Sequence, residues 1–336
     1  MRPLTLPTSR LVSRCAGALA GAFALLAASL TAAVAQVPAD KGQEWREHDI
    51  SAWVRLAGPG SERHVVDWIL QETGSASWHG AVPASLSADE ATLRVFHLPS
   101  MQDRVAEIVA RFVAEAGVPH RFAVRVLGVG SPSWRADARG LLRPVPTATP
   151  GVQAWVMSRE EAATLAALLR RRSDCAELPT GVAQAANGLP AVLQGGRRRP
   201  YLQDIQPAPT PAGWQPVTGS CDEGVTLEVL PLVSRDGSAV EAVFKCRIDQ
   251  IERMAPVSLQ VPAPQPQRVQ IEVPQVSAVR VGERFRWPVS QVLVVGLGLV
   301  PWPVPGNNTA ATAALLADAK RTDVVVFVEP RLRTAP

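Results

Sequence analysis

The sequence predicts an α+β protein, a small α+β N-terminal module followed by a mostly β domain. Two segments with helical apolar spacing lie before residue 118, and strand-type alternation dominates after it. Pro, Asn-Gly and Asp-Gly signals punctuate those later segments, as turns between strands do. The expected division is a signal peptide over 1–35, a linker over 36–48, the module over 49–118 and the β domain over 119–333.

The leader carries Arg2, Arg10 and Arg14, then an acid-free apolar run from Ala16 to Val34 that closes on Ala33-Val34-Ala35. Such an n-region, apolar stretch and small-residue site predict export with cleavage. A membrane anchor is the other reading of a run that long. Cys15 lacks the lipoprotein pattern and is expected to leave with the peptide. Removal lowers the positive side chains from 34 to 31 against 30 acidic ones, so the net charge falls to +1. The basicity therefore belongs to targeting and gives no argument for nucleic acid or an anionic surface.

Within the module, Ser61 reads as an N-cap with Glu62 in the first turn, and Val65, Val66, Ile69 and Leu70 form an apolar face. Leu93, Val95 and His97 alternate as a strand. Ser100 then reads as the cap of a second helix with Val105, Ile108, Val109, Phe112 and Val113 on one face and Gly117 as its stop. Helix, strand and helix in that order predict a small layered unit with unsealed sheet edges, where neighbouring copies can meet.

From His120 the alternation of Phe122, Val124 and Val126 predicts a strand ending at Val129, and Trp155 and Val156 mark a short apolar piece. Ser158 with Glu160 and Glu161 starts a helix through Leu169, and Arg170, Arg171 and Arg172 complement its C-terminal end. Strands are expected at Cys175 to Leu178, Val182 to Ala186 and Ala191 to Gln194. Val225, Leu227 and Val229, the turn at Asp236-Gly237, and Val240, Ala242, Phe244, Cys246 and Ile248 predict a hairpin. Val269, Ile271 and Val273 alternate again. Val292 to Val300 is apolar on both faces, as a strand inside a double layer or against lipid would be, and Val324 to Val328 is the last strand. Trp287 and Trp302 flank Val292 to Val300, which fits either an interfacial aromatic girdle or ordinary core.

Chemistry-bearing constellations are thin. His48, His64, His79, His97 and His120 are scattered without metal-ligand spacing. Cys175, Cys221 and Cys246 have no C-x-x-C spacing, and the predicted turn puts Cys221 and Cys246 out of register, so no pairing is expected. Gly296-x-Gly298 runs into Val300-Pro301, which reads as a strand needing close backbone approach rather than a nucleotide loop. Ser131, Ser133 and Ser158 lack a nucleophile elbow. Asn307-Asn308-Thr309 fits a glycosylation acceptor, with a turn as the plainer reading. The expected site residues are therefore catalytic none, cofactor-binding none and metal none; no cofactor and no enzymatic activity are expected.

Several phrases nonetheless arrive in an informative order. These are Leu93-Arg94-Val95-Phe96 with the following helix and strand; Asp174 to Ile205 with Leu178-Pro179, Asn187-Gly188 and Ala191-Val192-Leu193; and Gly224 to Ile248 with the internal Pro231. Val279-Arg280-Val281-Gly282-Glu283 with Val294-Val295-Gly296-Leu297 comes next, and Val325 to Arg331 ends the series. Together, over about Leu93 to Arg333, they resemble the secretins, the ring-forming outer-membrane channels of bacterial secretion and pilus systems. The resemblance implies a secretin-type β domain that contributes a few strands per copy to an oligomeric barrel. It implies a homo-oligomeric ring, other secretion-system components and exported protein cargo as partners, and the outer membrane as location. Closure of such a barrel removes exposed edges and satisfies backbone groups in lipid.

The segment from Gly196 to Ser220, with Arg-Arg-Arg-Pro and Pro-Ala-Pro-Thr-Pro, departs from the long alternating hairpins that secretins carry there. Val261 to Pro266 is expected as a loop. With one candidate periplasmic module and no tail for a lipoprotein escort, two readings stand. One is a secretion-channel subunit; the other is a periplasmic or envelope structural protein that keeps the fold without a pore.

Overall fold

The computed structural model describes residues 42–80, 82–114, 116–178, 181–208, 214–261, 267–302 and 321–331. The leader, Cys15, the tip 262–266 and Asn307-Asn308-Thr309 lie outside the described residues.

The module comprises β1 (Glu44–Asp49), α1 (Ser51–Ala57), α2 (Glu62–Thr73), β2 (Ser85–Ala88), β3 (Thr92–His97) and α3 (Pro99–Val113). Its antiparallel sheet runs β1-β3-β2, with Glu44 opposite His97 and Asp49 opposite Thr92. Strand β1 occupies residues expected as linker. Its inward positions are Glu44, Arg46 and His48, so no apolar alternation announces it. The helices bury Trp53, Trp68, Ile69, Ile108 and Phe112 against Leu93 and Val95. Two caps differ from expectation. Ser61 is itself helical and makes no capping hydrogen bond, and α3 starts at Pro99 with Leu98 before it, because proline's fixed φ suits the first helical position.

The remainder comprises β4 (His120–Val129), α4 (Trp134–Asp137), β5 (Pro144–Val145), β6 (Gln153–Ser158), α5 (Arg159–Arg170), β7 (Cys175–Leu178) and β8 (Val182–Ala185). Then come β9 (Ala191–Pro207), β10 (Trp214–Val233), β11 (Ala239–Val261), β12 (Gln267–Pro288), β13 (Gln291–Pro301) and β14 (Arg321–Arg331). Helix α5 carries the expected cap as a full capping box between Ser158 and Glu161. Strands β5-β6-β13-β14-β4-β7 form one sheet, with β8 also paired to β4, and β12-β11-β10-β9 form a second.

Layering explains the burial. Helices α4 and α5 cover one face of the seven-stranded sheet through Trp134, Leu165 and Leu169, which pack on Leu127, Val294 and Phe327. The other face meets β10, β11 and β12 through Leu227, Phe244 and Phe285. Val292 to Leu297 is therefore buried on both faces by protein rather than by lipid. Trp287 and Trp302 are core residues, not a girdle, at 1% and 8% exposure. Trp302 lies so close over Gly128 that an added Cβ there would come within 2.4 Å of its ring. Gly296 likewise faces the Trp155 ring, where a Cβ would stand 3.1 Å away, the close approach expected of that strand.

The segment expected to lack long hairpins builds them. Strand β9 runs on to Pro207 and pairs with β10 from Trp214 onward. Its prolines are tolerated because β9 is an edge strand, and the outer part of β10 has β9 as its only partner. The expected turn at Asp236-Gly237 is present, with Val233 opposite Val240 and Gly237 at φ 66.

Candidate functional site

The four-stranded sheet is continuous only over its inner half. Pairing between β10 and β11 ends at Gly224 opposite Asp249. Beyond that point β9 stays with β10 and β11 stays with β12, so two hairpins part.

The outer β11–β12 hairpin is amphipathic by register. Ala255 faces Val273, Val257 faces Ile271 and Leu259 faces Val269, so one side is wholly apolar. Met254 with Pro274, Pro256 with Glu272, Ser258 with Gln270 and Gln260 with Arg268 make the other side, which is polar toward the tip. Val257 and Val273 are 40% and 44% exposed, a free apolar surface rather than a packed one. Arg253 opposite Gln275 bounds that surface at its inner end. From Arg253 to Val261 the strand is nine residues, at the lower limit of the ~9–11 that cross a bilayer as a tilted strand.

The outer β9–β10 hairpin is of different character. Arg198 opposite Asp222, Arg199 opposite Cys221, and Gln206 opposite Gln215 leave it polar on both sides. It touches the polar side of its neighbour, where the Leu202 N–H donates to the Glu272 carboxylate at 3.2 Å. The outer region is thus two-layered, with the apolar surface on the side away from the polar hairpin.

Charged groups secure the base. Glu72 and Arg111 from the module meet Glu241 and Arg284 from β11 and β12. Arg111 donates to Glu241 at 3.1 Å, Arg284 donates to Glu72 at 3.1 Å, and Arg284 lies 5.2 Å from the Trp68 ring centroid. Asn187 ties the same junction. Its Nδ2 donates to Arg111 O, its Oδ1 accepts from Val233 N, and its carbonyl accepts from Trp53 Nε1. Burial works to raise the Glu283 pKa, but the N–H groups of Ala148 and Thr149 overcome it and hold the carboxyl below its usual value.

The residues singled out from the sequence are not brought together. His97 accepts at Nδ1 from Leu98 N and contacts Ser77 O through Nε2, while His48 is on β1 and His120 on β4. Among the described residues no group of three His, Cys, Asp or Glu could hold a metal ion. The three cysteines are free, and burial pushes the Cys246 thiol up to about 12. Arg170 and Arg172 pair with Glu177 and Asp174.

Sequence reasoning missed the outer hairpins and the charged junction. The apolar positions of β12 were visible at Val269, Ile271 and Val273, but their partners Ala255, Val257 and Leu259 sit among Pro256, Ser258 and Gln260.

No family model matches this chain, and no curated protein matches it. The solved structures similar to it are secretins. The type IV competence pilus secretin PilQ of V. cholerae is 14% identical over 94% of this chain and 82% of its own, with a TM-score of 0.29. The InvG secretin domain from the Salmonella SPI-1 injectisome is 11% identical over 88% of this chain and 89% of its own, with a TM-score of 0.28. The type II secretin GspD of enteropathogenic Escherichia coli is 12% identical over 87% and 88%, with a TM-score of 0.22.

Proposed function

We propose that this chain is a secretin-like subunit of an outer-membrane protein-secretion channel, acting by ring assembly and without catalysis. The observation that carries this reading is the parting of one four-stranded sheet into an amphipathic hairpin and a polar one. The two edges of that sheet, β9 and β12, have no ladder partner on their outer sides among the described residues. Joining β12 of one copy to β9 of the next would satisfy both edges, and repetition by rotation closes a barrel. In that barrel the Val257 and Val273 surface faces lipid, and the β9–β10 hairpin forms an inner layer.

No helix among the described residues is long and apolar enough to cross a membrane. The apolar side of the β11–β12 hairpin is the surface offered to lipid. Residues 1–35 serve as the export leader, residues 49–118 as a ring-building module and 119–333 as the secretin-like domain. Exported protein and other secretion-system components are the partners this role requires.

The test is the size of the mature protein extracted from envelopes in mild detergent without boiling. A heat-resistant ring of many copies is the expected result. A monomer or dimer removes the pore and leaves the envelope structural protein.

A further inference from the structure

The place where the hairpins part is built around one buried acid. Glu223 is the first β10 residue beyond the shared ladder, and its side chain is 1% exposed. It accepts from Arg197, directly opposite on β9, and from Gln250 Nε2 of β11 at 2.7 Å. Gln250 is the first β11 residue beyond the shared ladder. A side-chain bridge thus spans the two strands where their backbone pairing stops.

Next to it stand Gly196 and Gly224, opposite each other. A Cβ on Gly196 would lie 2.5 Å from Glu223 O, and one on Gly224 would lie 2.3 Å from Gly195 O. Gly224 also has φ +155, which L side chains rarely adopt. The strands therefore cross here with no side chain between them. A polar cavity of about 530 Å³ opens at the same place, lined by Arg197, Arg198, Asp222, Glu223, Arg247 and Asp249. Gln250 is 2% exposed, yet its Oε1 has no hydrogen-bond partner among the described residues. The closed contact thus leaves one polar group unsatisfied, which narrows its advantage over a parted state.

We propose that Glu223 is a latch at a glycine hinge, holding the β9–β10 hairpin against the base of β11 and releasing it to pivot when the bridge opens. The cavity supplies the space for that movement. This goes beyond the channel reading and does not need it, because the latch joins strands of one copy.

The experiment is amide hydrogen exchange on the mature chain in its native assembly, comparing wild type with Glu223→Gln. A charge-assisted bridge of this kind is worth about a tenfold change in an opening equilibrium. Exchange over 197–207 and 214–222 should rise about tenfold, while 225–233 and 240–248 stay unchanged. Unchanged exchange in the hairpin, or an equal rise in both regions, overturns the proposal. Arg197→Gln is the second variant, since its partly exposed side chain can be shortened without cavity formation; it should reproduce the selective rise. Sedimentation of the same samples reports ring size separately, so failure of the latch and failure of the channel reading are distinguishable.

Discussion

Replacing Arg111 with methionine tests how the module is held on the β domain. The Arg111 side chain is 8% exposed, and those of its partners Glu72 and Glu241 are 25% and 12% exposed. Methionine keeps an apolar stem but leaves two carboxylates sharing the single guanidinium of Arg284. Breaking a buried pair by removing one partner costs about 3–5 kcal/mol. Glu72 is a quarter exposed and water screens part of the excess charge, so we expect about 2–4 kcal/mol. For a chain of this size that corresponds to a fall of roughly 5–15 °C in melting temperature. Thermal unfolding followed by tryptophan fluorescence reads it directly, because Trp68 lies beside Arg284. The sharper comparison adds Glu241→Met, which leaves one neutral Glu72–Arg284 pair among apolar side chains. At least half of the loss should return in the double variant. A double variant that melts at or below the single one would refute the reasoning, since the loss would then come from packing and not from stranded charge.

Gly188 sits at φ +72, and a Cβ there would lie 2.2 Å from Phe112, so Gly188→Ala should cost about 2–4 kcal/mol; denaturant titration checks it. His48 is held below its usual pKa of 6.5, first by burial and then by Arg46. The unfolded chain therefore takes up that proton more readily, so stability is full above about pH 6.5 and is lost as pH falls through the folded value; a His48→Gln variant should melt with a flatter acid limb. Cys246 is buried with its thiol pushed up to about 12, while Cys221 is partly exposed, so a maleimide at neutral pH should label Cys221 and spare Cys246, as peptide mass mapping would show. Val257→Asp and Val273→Asp place charge on the free apolar surface and should leave the melting temperature within about 1 kcal/mol of wild type while lowering recovery in the membrane fraction.

Legibility followed burial. Helix α5 was readable in full because Ser158, Glu161 and an apolar stripe coincide. The inner hairpin was readable because Val225, Leu227 and Val229 and their partners face one core. Strand β1 was not, because its inward residues are polar and its pairing is carried by the backbone. The outer hairpins escaped for the opposite reason to a weak core. They have little core at all, so alternation survives on one side of one hairpin, and prolines that usually end strands sit where an edge is free. Val292 to Val300 was readable as doubly buried, but whether protein or lipid covered it depended on residues far away in the chain.

The buried carboxylates share one kind of location. Asp323 of β14 accepts from Trp134 Nε1 at 2.7 Å and from Arg135 of α4 at 3.0 Å, so it joins a helix to the central sheet. Glu283 joins β12 to the 148–149 loop, Glu241 joins β11 to the module, and Glu223 bridges the parting hairpins. Each lies where two units meet. Apolar contact is non-directional and tolerates sliding, so sheets and helices packed by valine and leucine alone have many nearly equal placements. A buried carboxylate has few, because every displacement strands a charge away from its donors. The energy of these contacts is offset by desolvation, but their geometry is not. If copies are to close into a ring, a small error in how the module or hairpins sit would accumulate around it. Placing the directional contacts at the joints, and leaving the layers themselves apolar, limits that error where it would arise.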